Sequence, residues 1–122
     1  MTHLTDAVAT LAALAQETRL RIFRLLVEAG AAGMNAGAIA EAVAVPAATL
    51  SFHLKELCHA GLVVARQDGR FVFYAANYPA MDDLIAYLTA NCCQGGGQCL
   101  PRTAAVATTA QRRAKVTDPE SP

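Results

Sequence analysis

The chain has no apolar run approaching the roughly 20 residues that a helix needs to cross a bilayer. Its first residues, Met1-Thr2-His3-Leu4-Thr5-Asp6, show no basic segment leading into an apolar one. Neither a membrane span nor a secretory leader is expected, and the cytoplasm is the expected compartment. Net charge is also lacking, since ten basic residues offset ten acidic ones. Bulk electrostatic attraction to nucleic acid is thereby disfavoured. A groove reader is not, because it depends on where its cations sit. There is no internal repeat. No phosphate-cradling loop accompanies a cysteine nucleophile and no catalytic His/Asp arrangement is present, so a thiol-dependent metalloid reductase or carrier is disfavoured and no enzyme is expected. Residues 101–122 lack aromatic residues and any sustained apolar period, the composition of a flexible tail.

Against these absences stand three clustered cysteines: Cys92 and Cys93, then Cys99 beyond a run of three glycines. Adjacent Cα atoms lie about 3.8 Å apart, whereas a disulfide prefers roughly 4.4–6.8 Å. Cys92 and Cys93 are therefore poorly placed to oxidise onto each other and well placed to grip one atom from the same side. The glycines let the backbone turn back, so Cys99 can supply a third sulfur. Thiolates select soft ions. Three of them without a nearby histidine suit a three-coordinate ion such as As(III) or Sb(III) better than four-coordinate zinc. In a reducing compartment clustered cysteines bind metals or react more often than they staple a fold. Cys58 stands apart and reads as a small core hydrophobe.

The remaining pattern is mostly helical. Leu4, Val8 and Leu11 recur at helical spacing and predict a first helix of about a dozen residues. A second is expected over 17–29, stopped by Gly30. Asn35 is placed to cap a short helix over 36–43. Pro46 opens another that closes at Gly61, with Leu50, Leu54 and Leu57 as its buried stripe. Strands over 62–67 and 71–76 flank Asp68-Gly69-Arg70, a hairpin signal. Pro79 is expected to open the last helix, with Asp82 and Asp83 in its first turn. The order α-α-α-α-β-β-α is a mostly α (α+β) winged helix-turn-helix. It predicts a domain over 1–92, a cysteine segment over 92–99 and a tail over 100–122.

The free face of the helix after Pro46 carries Ala48, Thr49, Ser51, Phe52 and Lys55. Thr49, Ser51 and Phe52 are candidates for base edges or thymine methyls, and Lys55 for phosphate or guanine. His53, beside the leucine stripe, is a candidate for packing or for a phosphate. Arg66 and Arg70 flank the hairpin turn and are candidates for phosphate contacts, which position without reading sequence.

Three segments together resemble the ArsR/SmtB family: 17–23 (Glu-Thr-Arg-Leu-Arg-Ile-Phe), 49–57 (Thr-Leu-Ser-Phe-His-Leu-Lys-Glu-Leu), and 61–63 (Gly-Leu-Val) with Asp68-Gly69-Arg70 and Tyr74. The likeness covers roughly residues 5–92. It implies a homodimeric winged-helix repressor that leaves double-stranded operator DNA when a metal ion binds. The second helix of the motif would enter the major groove, the wing would touch the backbone, and the first and last helices would form the dimer interface. Two departures narrow the expectation. No Cys-Val-Cys stands near the recognition region, so the chain resembles the subgroup with arsenic-binding cysteines near the C-terminus, matched here by Cys92, Cys93 and Cys99. The last helix offers Asp82 and Asp83 but no histidine, which disfavours a zinc or nickel sensor. The expected function is a repressor released by As(III) or Sb(III). The alternative is a thiol-redox or persulfide-responsive repressor of the same fold.

Overall fold

The computed structural model describes residues 3–93; Cys99 and the tail expected over 100–122 lie outside the described residues. Two compact units divide the chain, 1–88 and 89–122. In order the elements are α1 (Leu4–Leu14), α2 (Glu17–Ala29), β1 (Met34–Asn35), α3 (Ala36–Val43), α4 (Ala47–His59), β2 (Val63–Asp68), β3 (Phe71–Ala76) and α5 (Tyr78–Thr89). This is a winged helix-turn-helix, as the sequence pattern predicts, with β1 as an addition. Among the described residues no single helix is long and apolar enough to cross a membrane.

Local chemistry sets the helix ends. The Gln16 side chain accepts from the Arg19 N–H at 2.8 Å at the start of α2, and Gly30 closes that helix at φ 91°. The Asn35 side chain accepts from the Ala38 N–H at 2.8 Å and caps α3, satisfying a donor that the first turn leaves open. Ala44 then adopts φ 58°, ψ 51°, a left-handed conformation costing a non-glycine residue on the order of 1 kcal/mol. That bend, followed by Pro46 at φ −64°, makes the tight turn from α3 into α4. At the other end of α4, Gly61 takes φ 79° and the Leu62 N–H donates to Leu57 O at 3.0 Å.

The core gathers Ile22, Phe23 and Leu26 of α2, Ile39 and Val43 of α3, Leu50, Leu54 and Leu57 of α4, and Leu62, Val63 and Ala76 at the sheet. Each of the larger side chains contributes about 1.5–3 kcal/mol by leaving water. The leucine stripe of α4 is thus spent on α2 and α3, and its opposite side faces outward.

Three strands form one antiparallel sheet in the order β1-β3-β2. Asp68 pairs with Phe71, so the hairpin loop is only Gly69 and Arg70, with Gly69 at φ 66°. Glycine at the first loop position suits the twist of a two-residue hairpin. β1 pairs Met34 with Tyr74 and Asn35 with Phe73; two residues are too few to show a period in sequence. Gly33, just before β1, has φ 76°, and a Cβ there would sit 2.4 Å from Tyr74 O. Gly33→Ala is therefore expected to cost about 2–4 kcal/mol through overpacking and backbone strain. A melting-temperature drop on the order of 10 °C, by circular dichroism, checks it.

The final helix begins one residue earlier than expected. Asn77 caps it, accepting from the Ala80 N–H at 3.3 Å while its amide donates to Gly61 O at 2.8 Å. Asp82 and Asp83 consequently fall past the first turn, where the helix dipole gives them less. The Tyr78 hydroxyl donates to Val27 O at 2.9 Å and ties α5 to the end of α2.

Candidate DNA interface and thiol pair

On α4, Ala48, Thr49, Ser51, Phe52 and Lys55 are all exposed. Phe52 is 55% exposed, a large apolar surface for a helix whose other face fills the core. The face offers two hydroxyls, a methyl, an aromatic edge and one cation, a set suited to base edges and thymine methyls.

His53 does not belong to it. The side chain is buried at 8% exposure, and its Nδ1 lies 3.2 Å from Arg19 Nη1. Burial, then the nearby Arg19 charge, lowers its pKa below the ordinary 6.5, with Glu56 opposing. The i−3 and i+4 relations with Leu50 and Leu57 turn His53 inward, so the DNA-contact candidacy is corrected to an internal role.

The wing separates its two arginines. Arg66 Nη2 donates to Ala32 O at 2.9 Å, its Nη1 lies 3.7 Å from Asp68 Oδ2, and its guanidinium stands 5.2 Å over the Phe73 ring. It anchors the hairpin to the loop before β1 and keeps part of its charge exposed. Arg70, at the hairpin tip, is exposed and makes no salt bridge among the described residues, which leaves it available to phosphate. Two residues went unmarked in the sequence. Phe71 beside Arg70 is 53% exposed, at the outer end of a hairpin whose residues next to the loop are exposed on both strands. Arg19 bridges three helices, and nothing in its local spacing announces that.

The second unit is described only over 89–93. Asn91 and Cys93 take φ 60° and 64°, and the Cys92 N–H donates to Thr89 O at 3.0 Å, so the backbone folds tightly just past α5. Cys92 is exposed. Its Sγ stands 3.2 Å from Cys93 Sγ. Cys93 is disulfide-bonded. No three His, Cys, Asp or Glu side chains converge on a metal site among the described residues; Cys99, the third expected sulfur, lies outside them. Burial pushes the Cys58 thiol up, as fits a packing residue on α4.

A helix-turn-helix with an exposed reading face, followed by a basic-tipped hairpin, defines a DNA-binding winged-helix protein. A family model described as a helix-turn-helix domain matches residues 14–66. Among solved structures, an ArsR-like transcriptional regulator from Rhodococcus sp. RHA1 aligns at 26% identity and TM-score 0.66, covering 84% of this chain and 90% of the other. A possible transcriptional regulator for arsenical resistance aligns at 30% identity and TM-score 0.56, covering 82% and 97%. The homodimeric winged helix-turn-helix domain of a possible ArsR-family regulator from Mycobacterium bovis aligns at 26% identity and TM-score 0.58, covering 80% and 90%. Among curated proteins none matches the chain. The chain belongs to the ArsR/SmtB family of winged-helix transcriptional regulators, whose members are DNA-binding proteins and not enzymes.

Proposed function

We propose that the chain is a cytoplasmic, homodimeric repressor that holds operator DNA in its reduced, ion-free form and releases it when As(III) or Sb(III) binds Cys92, Cys93 and Cys99. The observation that carries this reading is the placement of Cys92 and Cys93 side by side on a tight turn just past α5, with Cys99 six residues further along the sequence. Soft thiolate donors without histidine suit a trivalent metalloid.

Leu4, Val8 and Leu11 on α1 and Ile85 and Leu88 on α5 are exposed, and pairing two copies would remove these side chains from water. The relative from Mycobacterium bovis is homodimeric. Such a dimer would set its two α4 faces about one helical turn apart on a palindromic site, roughly 34–36 Å. Cys92 stands only three residues past the end of α5. Gathering three sulfurs there redirects the end of that helix, shifts the pairing of the two copies, and moves the reading heads off the groove spacing. A coupling of about 1–3 kcal/mol changes affinity some 5–150-fold and is enough.

A second reading keeps the fold and changes the signal: a thiol-redox or persulfide switch. The disulfide at Cys93 favours it. The two part in a gel shift with the reduced protein on a duplex that it selects from a random pool. Arsenite is expected to empty the complex and diamide to leave it in place. Release by diamide together with retention under arsenite would reverse the assignment.

A further inference from the structure

We propose that Arg19 and His53 are positioning residues for DNA recognition: through them α2 locks the recognition helix to α1, and the lock holds only while His53 is uncharged. The inference rests on the DNA-binding reading of α4. The Arg19 guanidinium serves two helices at once. Its Nε donates to Ala13 O, near the end of α1, at 2.7 Å, and its Nη1 meets His53 Nδ1 on the buried side of α4 at 3.2 Å. Its own backbone N–H is fixed by Gln16 at 2.8 Å.

The tautomer follows from the partner. An arginine only donates, so Nδ1 must accept and the imidazole proton must sit on Nε2. Protonation at Nδ1 would set an N–H against an N–H and a cation against a cation. The charged groups around His53 are few. Arg19 faces it from α2, Glu56 lies one turn on along α4 itself, and His59 lines the groove that Arg19 and Glu56 share. The α1 residues that line that groove, Ala9, Ala12 and Ala13, carry no charge. Phe52 extends the lock to the reading face, its ring packing edge-on against His53 at 5.3 Å between centroids. α1 meanwhile exposes Leu4, Val8 and Leu11, the side proposed to meet the second copy. The lock therefore lies between the pairing surface and the reading head, and acid opens it.

The direction in pH is fixed. The folded pKa of His53 lies below 6.5, so as pH falls the folded, locked form takes up the proton last. The lock's contribution is full above 6.5 and is lost as pH falls from there through the depressed value. For affinity, one excluded proton gives at most about a tenfold loss per pH unit, confined to the interval in which the free protein has taken up the proton and the DNA-bound protein has not.

The experiment measures affinity between pH 7.5 and 5.5 for a duplex selected from a random pool by the reduced wild-type protein, with folding followed by circular dichroism. Wild type is expected to weaken on acidification while still folded. His53→Asn, whose amide oxygen accepts near the place of Nδ1, is expected to bind at pH 7.5 within about threefold of wild type and to lose the His53-dependent slope. Arg19→Lys, unable to reach both acceptors, is expected to bind weakly throughout. Should His53→Asn fail to fold, the wild-type protein decides: imidazole nitrogen shifts in NMR should report Nδ1 as acceptor. Titration of His53 should then move amides of both α1 and α4. An identical slope in wild type and His53→Asn, or a His53 titration that leaves the α1 amides still, overturns the proposal. If no duplex is selected, the DNA-binding reading fails, and the NMR titration still decides the lock.

Discussion

Cys92→Ser protein is expected to bind its operator as tightly as wild type and to stay bound at arsenite concentrations that empty the wild-type complex. Cys92 is exposed and lies three residues past α5, so the change costs the fold little. It removes one sulfur of three, and a serine hydroxyl is a poor ligand for a soft ion. The 5–150-fold release expected from a coupling of about 1–3 kcal/mol should shrink to within about twofold. Cys58→Ser provides the contrast. That side chain packs against the core from α4, so its removal should lower stability slightly and leave the arsenite response whole. Fluorescence anisotropy on a labelled operator reads both variants. An undiminished response from Cys92→Ser would remove the sulfur pair from the mechanism.

The second large effect belongs to the reading face. Lys55→Glu should weaken operator binding by about a hundredfold or more. A good polar contact contributes about 1–3 kcal/mol, it counts once in each subunit, and the new carboxylate is repelled by phosphate. The fold should be unaffected, because Lys55 is exposed and α4 is held by Leu50, Leu54 and Leu57. Arg70→Ala should act differently, weakening binding to all sequences alike and lowering the salt slope by about one for each phosphate no longer neutralised. Arg66→Ala should chiefly cost stability, since that side chain anchors to Ala32 O and covers Phe73. Binding by Lys55→Glu within threefold of wild type would show that α4 is not the reading helix.

The sequence carried the architecture wherever its signals were local. Gly30, Asn35, Gly61 and Gly69 act at element ends through their own backbone or side-chain chemistry, and each stands where its signal predicts; Pro46, expected in the first turn of α4, is instead its extended N-cap. The leucine spacing of α4 identified the buried stripe and, by subtraction, the exposed face. Where a property depended on a distant partner, the signal failed. His53 lies next to the reading face in sequence, while its burial and its contact with Arg19, 34 residues away, show only in the fold. Arg66 looked like any cation near a hairpin turn, while its hydrogen bond reaches back to Ala32. Asn77 draws α5 one residue earlier through a bond to Gly61 O. The left-handed Ala44 has no sequence mark, since alanine is chosen for helices and not for such turns. For the thiols, the chemistry is read from cysteine spacing alone; the fold adds that Cys92 Sγ stands 3.2 Å from Cys93 Sγ on the turn past α5.

The decisive measurement is a titration of the fully reduced protein with arsenite in the presence of labelled operator, with sulfur-to-arsenic absorbance and anisotropy recorded together. One ion per chain, three thiols consumed and operator release in step with the absorbance are the expected result. Operator released with no sulfur-to-arsenic absorbance, or absorbance saturating while the operator stays bound, would contradict it.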